Sequence, residues 1–518
     1  MNILWLIVDD LRPQLGSYGQ GATLTPALDA LAAESVVFEM AYAQFAVCAP
    51  SRNSFMSGRR PDRTQAFNFL DDFREVGANW TTLPEHFKNN GYLTLGGGKT
   101  FHPDLPPDYD EPYSWSQDVP YFPFVEDSCN NSVPPYNFSD DDICTVADGS
   151  SLFDSKMAVE AMKWIDEAGV TPFFFAVGIR RPHLPWIVPL EFYDMYANAT
   201  IPALSQPTLP EGIHNIAWSS EAFSRATLGG RAYANKGPFE PSFDPNVTAE
   251  LTRGYMVAVS WADAQMGRII NHLDERDEEK NTIVVVHGDH GYQLGEKACW
   301  TKHTNLELGT RVPLIIRVPA AARQPRRVRV PVELVDLYKT LSDLARLPEP
   351  EPGVQGKSLA KFFFENNKST TTTEETQQWA AYAQYDRCPT QSEIDNDDDD
   401  NNNVTKFHGS CKRVEKEDIY YMGYTIRTLA YRYVCWMRFD GATLAARWTD
   451  CDHHRQHNNN DGSFFCAREL YYHGEEEDLG DFNGFETTNL AYNATYRPVR
   501  DALHARLRAH FHQPHKIR

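Results

Sequence analysis

Six apolar residues in unbroken succession, Ile3 to Val8, end on the pair Asp9-Asp10, and a second run, Ile283-Val-Val-Val-His-Gly, ends on Asp289-His290. Short apolar runs without alternation are expected of strands covered on both faces. Between them, Thr25-Pro-Ala-Leu-Asp-Ala-Leu combines an N-cap threonine, a first-turn proline and helical spacing of apolar positions. The same β-α rhythm predicts further strands over 92–95, 172–179, 282–287 and 312–318, and helices over 152–167, 249–273 and 332–344. Buried strands separated by helices define an α/β fold class: a large, mostly parallel sheet sandwiched by helices. After Gly356 the pattern changes. The stretch from Ser369 through its run of threonines, and the Asn/Asp-rich loop 393–403, are too polar to pack and are expected to be exposed. Tyr424 to Phe439 then alternates as antiparallel strands do, and Asn489 to His512 reads as a closing helix. Two domains are therefore expected, an α/β domain over 1–368 and a smaller α+β subdomain over 369–518. There is no internal repeat.

Composition narrows the function. The 518 residues are 42% apolar and 23% charged, enough for a large core, and the formal charge is −22. Such an excess of acid disfavours nucleic acid or an anionic membrane as partner, and an anionic substrate would need a locally basic pocket. No apolar run approaches the roughly 18 residues of a membrane span. No basic n-region or cleavage site precedes Ile3, so no leader is expected within the chain as given. Export is expected all the same. Asn79, Asn130, Asn137, Asn198, Asn246, Asn367, Asn403 and Asn493 each stand in an Asn-X-Ser/Thr frame. Nine cysteines, an odd number, leave at least one without an intramolecular partner. Cys48 is the candidate. Of the other eight, Cys129 with Cys144, Cys451 with Cys466 and Cys388 with Cys411 are close enough in sequence to form local loops, although sequence does not fix connectivity.

The two acidic strand ends are the first chemical signal. Open parallel sheets carry their chemistry at the carboxyl ends of strands, and hard oxygen ligands meeting there suit Ca²⁺ or Mg²⁺. A single aspartate at a strand end usually caps a turn; two clusters after two apolar strands favour a cation site. Basic residues follow other strands: Lys99 and His102 after Gly96-Gly-Gly, Arg180, Arg181 and His183 after Ile179, and Lys302 with His303 after Trp300. Each alone is weak, because a surface lysine is commonly solvated and a histidine beside proline is commonly packed. With Arg52 they make a basic pocket in an acidic protein. The triple glycine lacks the spacing of either nucleotide-binding fingerprint. The tract Cys451-Asp-His453-His454-Arg-Gln-His457 is better read as a solvated loop than as a metal site, given its Asn- and Gly-rich flanks.

Cys48-Ala-Pro-Ser-Arg52 followed by Ser57-Gly-Arg resembles the Cys-X-Pro-X-Arg signature of the type I sulfatases, in the alkaline phosphatase superfamily. Asp9-Asp10, Gly98-Lys99, His102, Pro182-His183, Asp289-His290-Gly291 and Lys302 follow in that family's order. Gln44-Phe-Ala-Val-Cys, Gly98-Lys-Thr-Phe-His-Pro, Arg181-Pro-His-Leu-Pro and Met422-Gly-Tyr-Thr-Ile-Arg-Thr-Leu-Ala-Tyr-Arg-Tyr are similar to its iduronate-type branch. His290 departs from the asparagine of most sulfatases and agrees with that branch.

The resemblance implies the alkaline phosphatase-like fold and sulfuric ester hydrolysis. It further implies that a formylglycine-generating enzyme converts Cys48 to formylglycine. One oxygen of the aldehyde hydrate would attack sulfur, and the other would expel sulfate from the resulting hemiacetal. One Ca²⁺ would be held by Asp9, Asp10, residue 48, Asp289 and His290. Arg52 would orient the nucleophile, Lys99 and Lys302 would clamp the sulfate, Lys302 or His183 would protonate the leaving alcohol, and His102 would be the base. The substrate implied is a 2-O-sulfated uronic acid at the non-reducing end of a glycosaminoglycan, with Arg180, Arg181, Trp186 and His303 as contacts. A sulfated algal polysaccharide would satisfy the same charges. The compartment implied is the secretory pathway, lysosomal or extracellular. Three alternatives compete. A two-zinc phosphoesterase of the same superfamily would normally carry Ser or Thr at position 48. A formylglycine-dependent phosphonate hydrolase differs only in substrate. A non-catalytic carbohydrate-binding protein would have no use for the nucleophile.

Overall fold

The computed structural model describes residues 1–129, 132–133, 143–204, 206–219, 243, 245–319, 325–364, 378–389, 411–452, 465–474, 479–482 and 486–512. Its main sheet is built from β1 (Asn2–Val8), β2 (Val36–Tyr42), β3 (Leu93–Gly98), β4 (Phe173–Ile179), β5 (Thr282–Gly288), β6 (Arg311–Arg317), β7 (Arg326–Val328) and β8 (Val332–Glu333). The order is β7-β2-β6-β5-β1-β4-β3, with β8 also on β2. Every residue of β1, β4 and β5 is buried, as their unbroken apolar runs require for strands covered on both faces. Neighbours β5, β1, β4 and β3 run parallel, with Val8 level with both Ile179 and Gly288 and Gly98 level with Gly178. Four carboxyl ends therefore open on one edge of the sheet. The expected strand near Val312 is present as β6, but it runs antiparallel to both β5 and β2.

One apolar core lies on each side of the sheet. Helices α2 (Phe153–Glu167) and α3 (Pro245–Glu275) cover one face, contributing Met157, Trp164, Tyr255 and Met266. On the other lie α1 (Cys48–Ser57), which contributes Phe55 and Met56, and α4 (Asp336–Leu344), which contributes Leu337 and Leu341. The helix expected from Val332 begins at Asp336, because Val332 and Glu333 pair with β2 as β8. The triple glycine is explained by packing. Gly98 adopts φ +70°, and a side chain there would strike the carbonyl of Gly178 on the adjacent strand.

A second, antiparallel sheet contains β9 (Ala381–Arg387), β10 (Tyr421–Arg427), β11 (Tyr431–Asp440) and β12 (Cys466–Tyr472) in that order, with Ala445–Ala446 also on β11. The closing helix α5 spans Arg497–Phe511, shorter than the stretch from Asn489 because residues 494–496 form a separate tight turn. Gln384 of β9 donates its backbone N–H to the carbonyl of Gln44, just before α1, at 2.9 Å.

Disulfides join Cys129 to Cys144 and Cys388 to Cys411, as expected. The third pairing is corrected. Cys435 is bonded to Cys451, and Cys466 stays a thiol with its Sγ 2.8 Å from that of Cys451. Cys435 lies on β11, and β12 places Cys466 beside it, opposite Met437; proximity in sequence does not reveal a cross-strand neighbour. Cys299 is also a buried free thiol, so Cys48 is one of three unpaired cysteines rather than the single one expected. Asn79, Asn198, Asn246 and Asn493 are exposed, whereas Asn130, Asn137, Asn367 and Asn403 lie outside the described residues. The loop 393–403 and the histidines from His453 to His457 lie outside them too. No helix among the described residues is long and apolar enough to cross a membrane.

Candidate active site

The four parallel strand ends deliver the charged residues directly. Asp9 follows β1, Lys99 follows β3, Arg180 follows β4 and Asp289 follows β5. Backbone bonds extend the sheet by one step, from Asp9 N–H to Ile179 O (3.0 Å) and from Asp289 N–H to Val8 O (3.1 Å). Cys48 enters from the opposite side as the first residue of α1, a helix buried along its whole length. The partial positive charge of a helix N-terminus therefore lies at residue 48.

Around the Cys48 Sγ lie Lys302 Nζ at 3.0 Å, His290 Nε2 at 3.3 Å and Asp9 Oδ1 at 3.5 Å. Asp9 is clasped by Lys99 at 2.6 Å, Arg180 at 3.1 Å and Arg52 at 3.5 Å. Asp289 pairs with Arg52 at 2.9 Å, and Asp10 pairs with Lys302. Three buried carboxylates thus face four buried cations, a balance that burial demands. Burial by itself would push the Asp9 carboxyl up, but Lys99, with Arg52 and Arg180, overrules it and holds Asp9 ionised, well below the usual carboxylate range. Burial likewise opposes charge on Lys302, yet Asp10 and Cys48 raise its pKa and keep it protonated.

The donor set fits a hard divalent cation. Oxygens of Asp9 and Asp289, the Sγ of Cys48 and a nitrogen of His290 lie within 4.8 Å of one another, as do groups of Asp9, Asp10, Cys48 and His183. His290 Nδ1 is 2.9 Å from the Gly291 carbonyl, which can only accept. Nδ1 therefore carries the proton, and the Nε2 lone pair points into the cluster as a ligand would require. Asp289 Oδ1 is fixed by the backbone N–H groups of Asp10 and His290 at 3.0 and 2.9 Å.

Two further histidines present the same tautomer. His102 Nδ1 faces Pro103 O at 2.8 Å and His183 Nδ1 faces Leu184 O at 2.5 Å, leaving Nε2 of each as the open acceptor. Burial pushes both well below the ordinary imidazole value, assisted by Lys99 at His102 and by Arg180 at His183. Both are neutral bases at neutral pH.

The expected sugar contacts divide. Arg180 belongs to the cluster through Asp9 and also binds Glu126 at 3.2 Å. Arg181 does not reach it. Its side chain is fully buried, bound to Asp127 at 2.9 Å and to the Ile187 carbonyl at 3.2 Å. Trp186 is also buried, packed on Tyr255 and Gly254 of α3, with its Nε1 donating to Pro182 O at 2.6 Å. Consecutive residues leaving a strand diverge, so Arg180 turns into the site and Arg181 away from it. His303 adjoins Lys302 but is buried, with Nδ1 3.1 Å from the Tyr385 hydroxyl. The sequence reading missed Ser51, whose hydroxyl donates to Asp289 O at 2.5 Å; its place between Pro50 and Arg52 was the available signal.

The chain matches the family model "Sulfatase" over residues 1–347. It belongs to the sulfatase family and is a sulfuric ester hydrolase. It is 34% identical over 501 residues to iduronate 2-sulfatase of Mus musculus and 33% identical over 501 residues to that of Homo sapiens, covering 87% of both chains in each comparison. Among solved structures, a phosphonate monoester hydrolase of Agrobacterium radiobacter superposes with a TM-score of 0.68 at 20% identity, covering 98% of this chain and 96% of that one. A 2-O GAG sulfatase superposes with a TM-score of 0.65 at 19% identity, covering 99% and 92%. Those two likenesses concern the fold.

Proposed function

We propose that this sulfatase removes the 2-O-sulfate from a uronic acid at the non-reducing end of a glycosaminoglycan, using formylglycine at position 48 and one Ca²⁺. The observation that carries the reading is the position of Cys48 at a buried helix N-terminus, with Lys302 at 3.0 Å and His290 at 3.3 Å. The iduronate 2-sulfatase relatives supply the substrate class. A formylglycine-generating enzyme would act on the chain before it folds, since Cys48 is buried in the native state.

Asp9, Asp10, residue 48, Asp289 and His290 would hold the cation, which together with the aldehyde hydrate supplies Lewis acidity and a nucleophilic oxygen. Arg52, held by Asp289 and by the Thr100 carbonyl at 3.0 Å, orients residue 48 and offsets its charge. Lys99 and Lys302 clamp the sulfate by charge, the arrangement electrostatic catalysis requires. We assign the leaving-group proton to Lys302 Nζ, because Lys302 carries a proton at neutral pH and His183 does not. His183 Nε2 then accepts a hydrogen bond from the substrate, and His102 Nε2 is the base that withdraws a proton from residue 48. The exposed sequons at Asn79, Asn198, Asn246 and Asn493 accord with the secretory pathway and a lysosomal or extracellular destination.

The test is a panel: Ca²⁺-loaded protein, co-expressed with a formylglycine-generating enzyme, against disaccharides sulfated at single positions and against an aryl phosphonate monoester. Preferential hydrolysis of the 2-O-sulfated uronate is expected. Preference for the phosphonate, or for a sulfated hexosamine, would refute the reading.

A further inference from the structure

Lys302 stands between two residues in a backbone region that side chains other than glycine rarely adopt, Thr301 at φ +60° and His303 at φ +80°. The β-branched threonine suits it least. Such a stretch persists only where the surroundings over-determine it, and three strands of the second sheet do so here. From β9, the Tyr385 hydroxyl lies 3.1 Å from His303 Nδ1. From β10, the Gly423 carbonyl accepts from Asn305 Nδ2 at 2.9 Å. From β11, Arg432 Nη1 donates to the Asn305 carbonyl at 2.7 Å, and the same guanidinium is paired with Glu486 and, at 3.5 Å, with Glu469. A side chain at position 423 would strike Asn305 Nδ2, so glycine leaves room for that contact.

The same sheet grips the chain that leads to Cys48. Gln384 N–H donates to the Gln44 carbonyl at 2.9 Å, and the Tyr385 ring packs against Phe45 with centroids 5.1 Å apart. His303 N–H completes the join, donating to the Ala46 carbonyl at 3.2 Å. Tyr385 therefore touches both arms of the catalytic contact. Its ring lies on the approach to Cys48 and its hydroxyl on the residue after Lys302, and the two arms meet where Lys302 Nζ is 3.0 Å from Cys48 Sγ.

We infer that Tyr385 is a positioning residue, which acts through His303 to hold Lys302 Nζ where it can protonate the alcohol leaving residue 48. This rests on Lys302 being the leaving-group acid and extends that role to the second sheet. A small misplacement of a proton donor is costly, because the proton must pass at hydrogen-bond distance. The cost grows with the basicity of the leaving oxygen. A sugar alkoxide needs the proton, whereas an activated phenolate departs with little help.

The experiment measures kcat of the mature Ca²⁺-loaded enzyme on two substrates, the sulfated disaccharide that it hydrolyses in the panel above and para-nitrophenyl sulfate. Tyr385→Phe keeps the ring on Phe45 and removes only the hydroxyl. It should lower the ratio of the disaccharide kcat to the aryl kcat by about tenfold, with KM little changed. Gly423→Ala, which displaces Asn305 without removing a polar group, should lower the ratio in the same direction and carries the test should Tyr385→Phe lose the fold. Lys302→Ala is the reference and should lower the ratio furthest. An unchanged ratio in Tyr385→Phe, even with kcat reduced equally on both substrates, makes Tyr385 merely structural and overturns the inference alone. An unchanged ratio in Lys302→Ala overturns the assignment of the leaving-group proton and this inference with it.

Discussion

The Nζ of Lys302 lies 3.0 Å from the Sγ of Cys48 although 254 residues separate them. The contact joins the start of α1 to a loop beyond β5, and the same ammonium is paired with Asp10 beyond β1. Lys302 thus links nucleophile, cation site and sulfate clamp. Lys302→Ala should reduce kcat by at least about a hundredfold, with an unfolding midpoint close to that of wild type. Turnover within a few-fold of wild type would remove Lys302 from the mechanism.

Formylglycine formation should be visible by mass. With a formylglycine-generating enzyme present, the peptide containing Val47 to Arg52 should carry the mass of formylglycine in place of cysteine. Cys48→Ala should eliminate activity without loss of the fold, because a buried thiol among charges contributes little packing that alanine lacks. Full activity from protein with only a free thiol at position 48 would contradict the proposed chemistry.

Asp9 and Asp289 approach from adjacent strands far apart in sequence, and neither forms the cation site alone. Asp9→Asn and Asp289→Asn should each lower turnover by more than about a hundredfold, and elemental analysis should drop from about one calcium per chain toward none. Calcium is expected because the donor set is mostly oxygen; two zinc ions per wild-type chain would instead favour phosphoesterase chemistry.

The parts of this candidate site written in strand ends are legible in the sequence. A continuous apolar run followed by acids fixes both element and position, so Asp9, Asp10, Asp289 and His290 were found together. Direction is not encoded that way: β6 is as apolar as β5, yet it runs antiparallel to it. Nor does sequence show which of two adjacent arginines turns inward; Arg180 does, while Arg181 is held by Asp127. Trp186 resembled a sugar platform because aromatic residues often serve as one, and only Gly254 of α3, 68 positions on, shows that it packs inside.

The sulfur cluster gives a mapping prediction. Proteolysis under alkylating, non-reducing conditions should recover Cys435 linked to Cys451, with Cys466 alkylated more slowly in the native protein than after unfolding. Burial supports this by raising the Cys466 thiol to about 11, which leaves little thiolate to exchange in the native state. A dominant Cys451–Cys466 peptide from native protein would contradict the pairing.

Asp62 gives a pH test that does not depend on catalysis. It lies just beyond α1, and its Oδ1 accepts from Gln384 Nε2 at 2.7 Å and from the Tyr424 hydroxyl at 3.4 Å, both of the second sheet. Burial raises its pKa from 3.8 to about 6, and those two hydrogen bonds only partly counter the shift. Because the folded value is the higher one, the stability it contributes is fully present below 3.8 and is lost as pH rises through 6. Asp62→Asn can keep an acceptor at Oδ1 but does not titrate. Relative to wild type, the variant should therefore gain stability between pH 4 and pH 7, by on the order of 1–3 kcal/mol. Other titrating groups cancel in the comparison. Unfolding midpoints of both proteins, measured across that range, should draw apart in favour of the variant as pH rises. Parallel curves would mean that Asp62 stays ionised in the folded protein despite its burial.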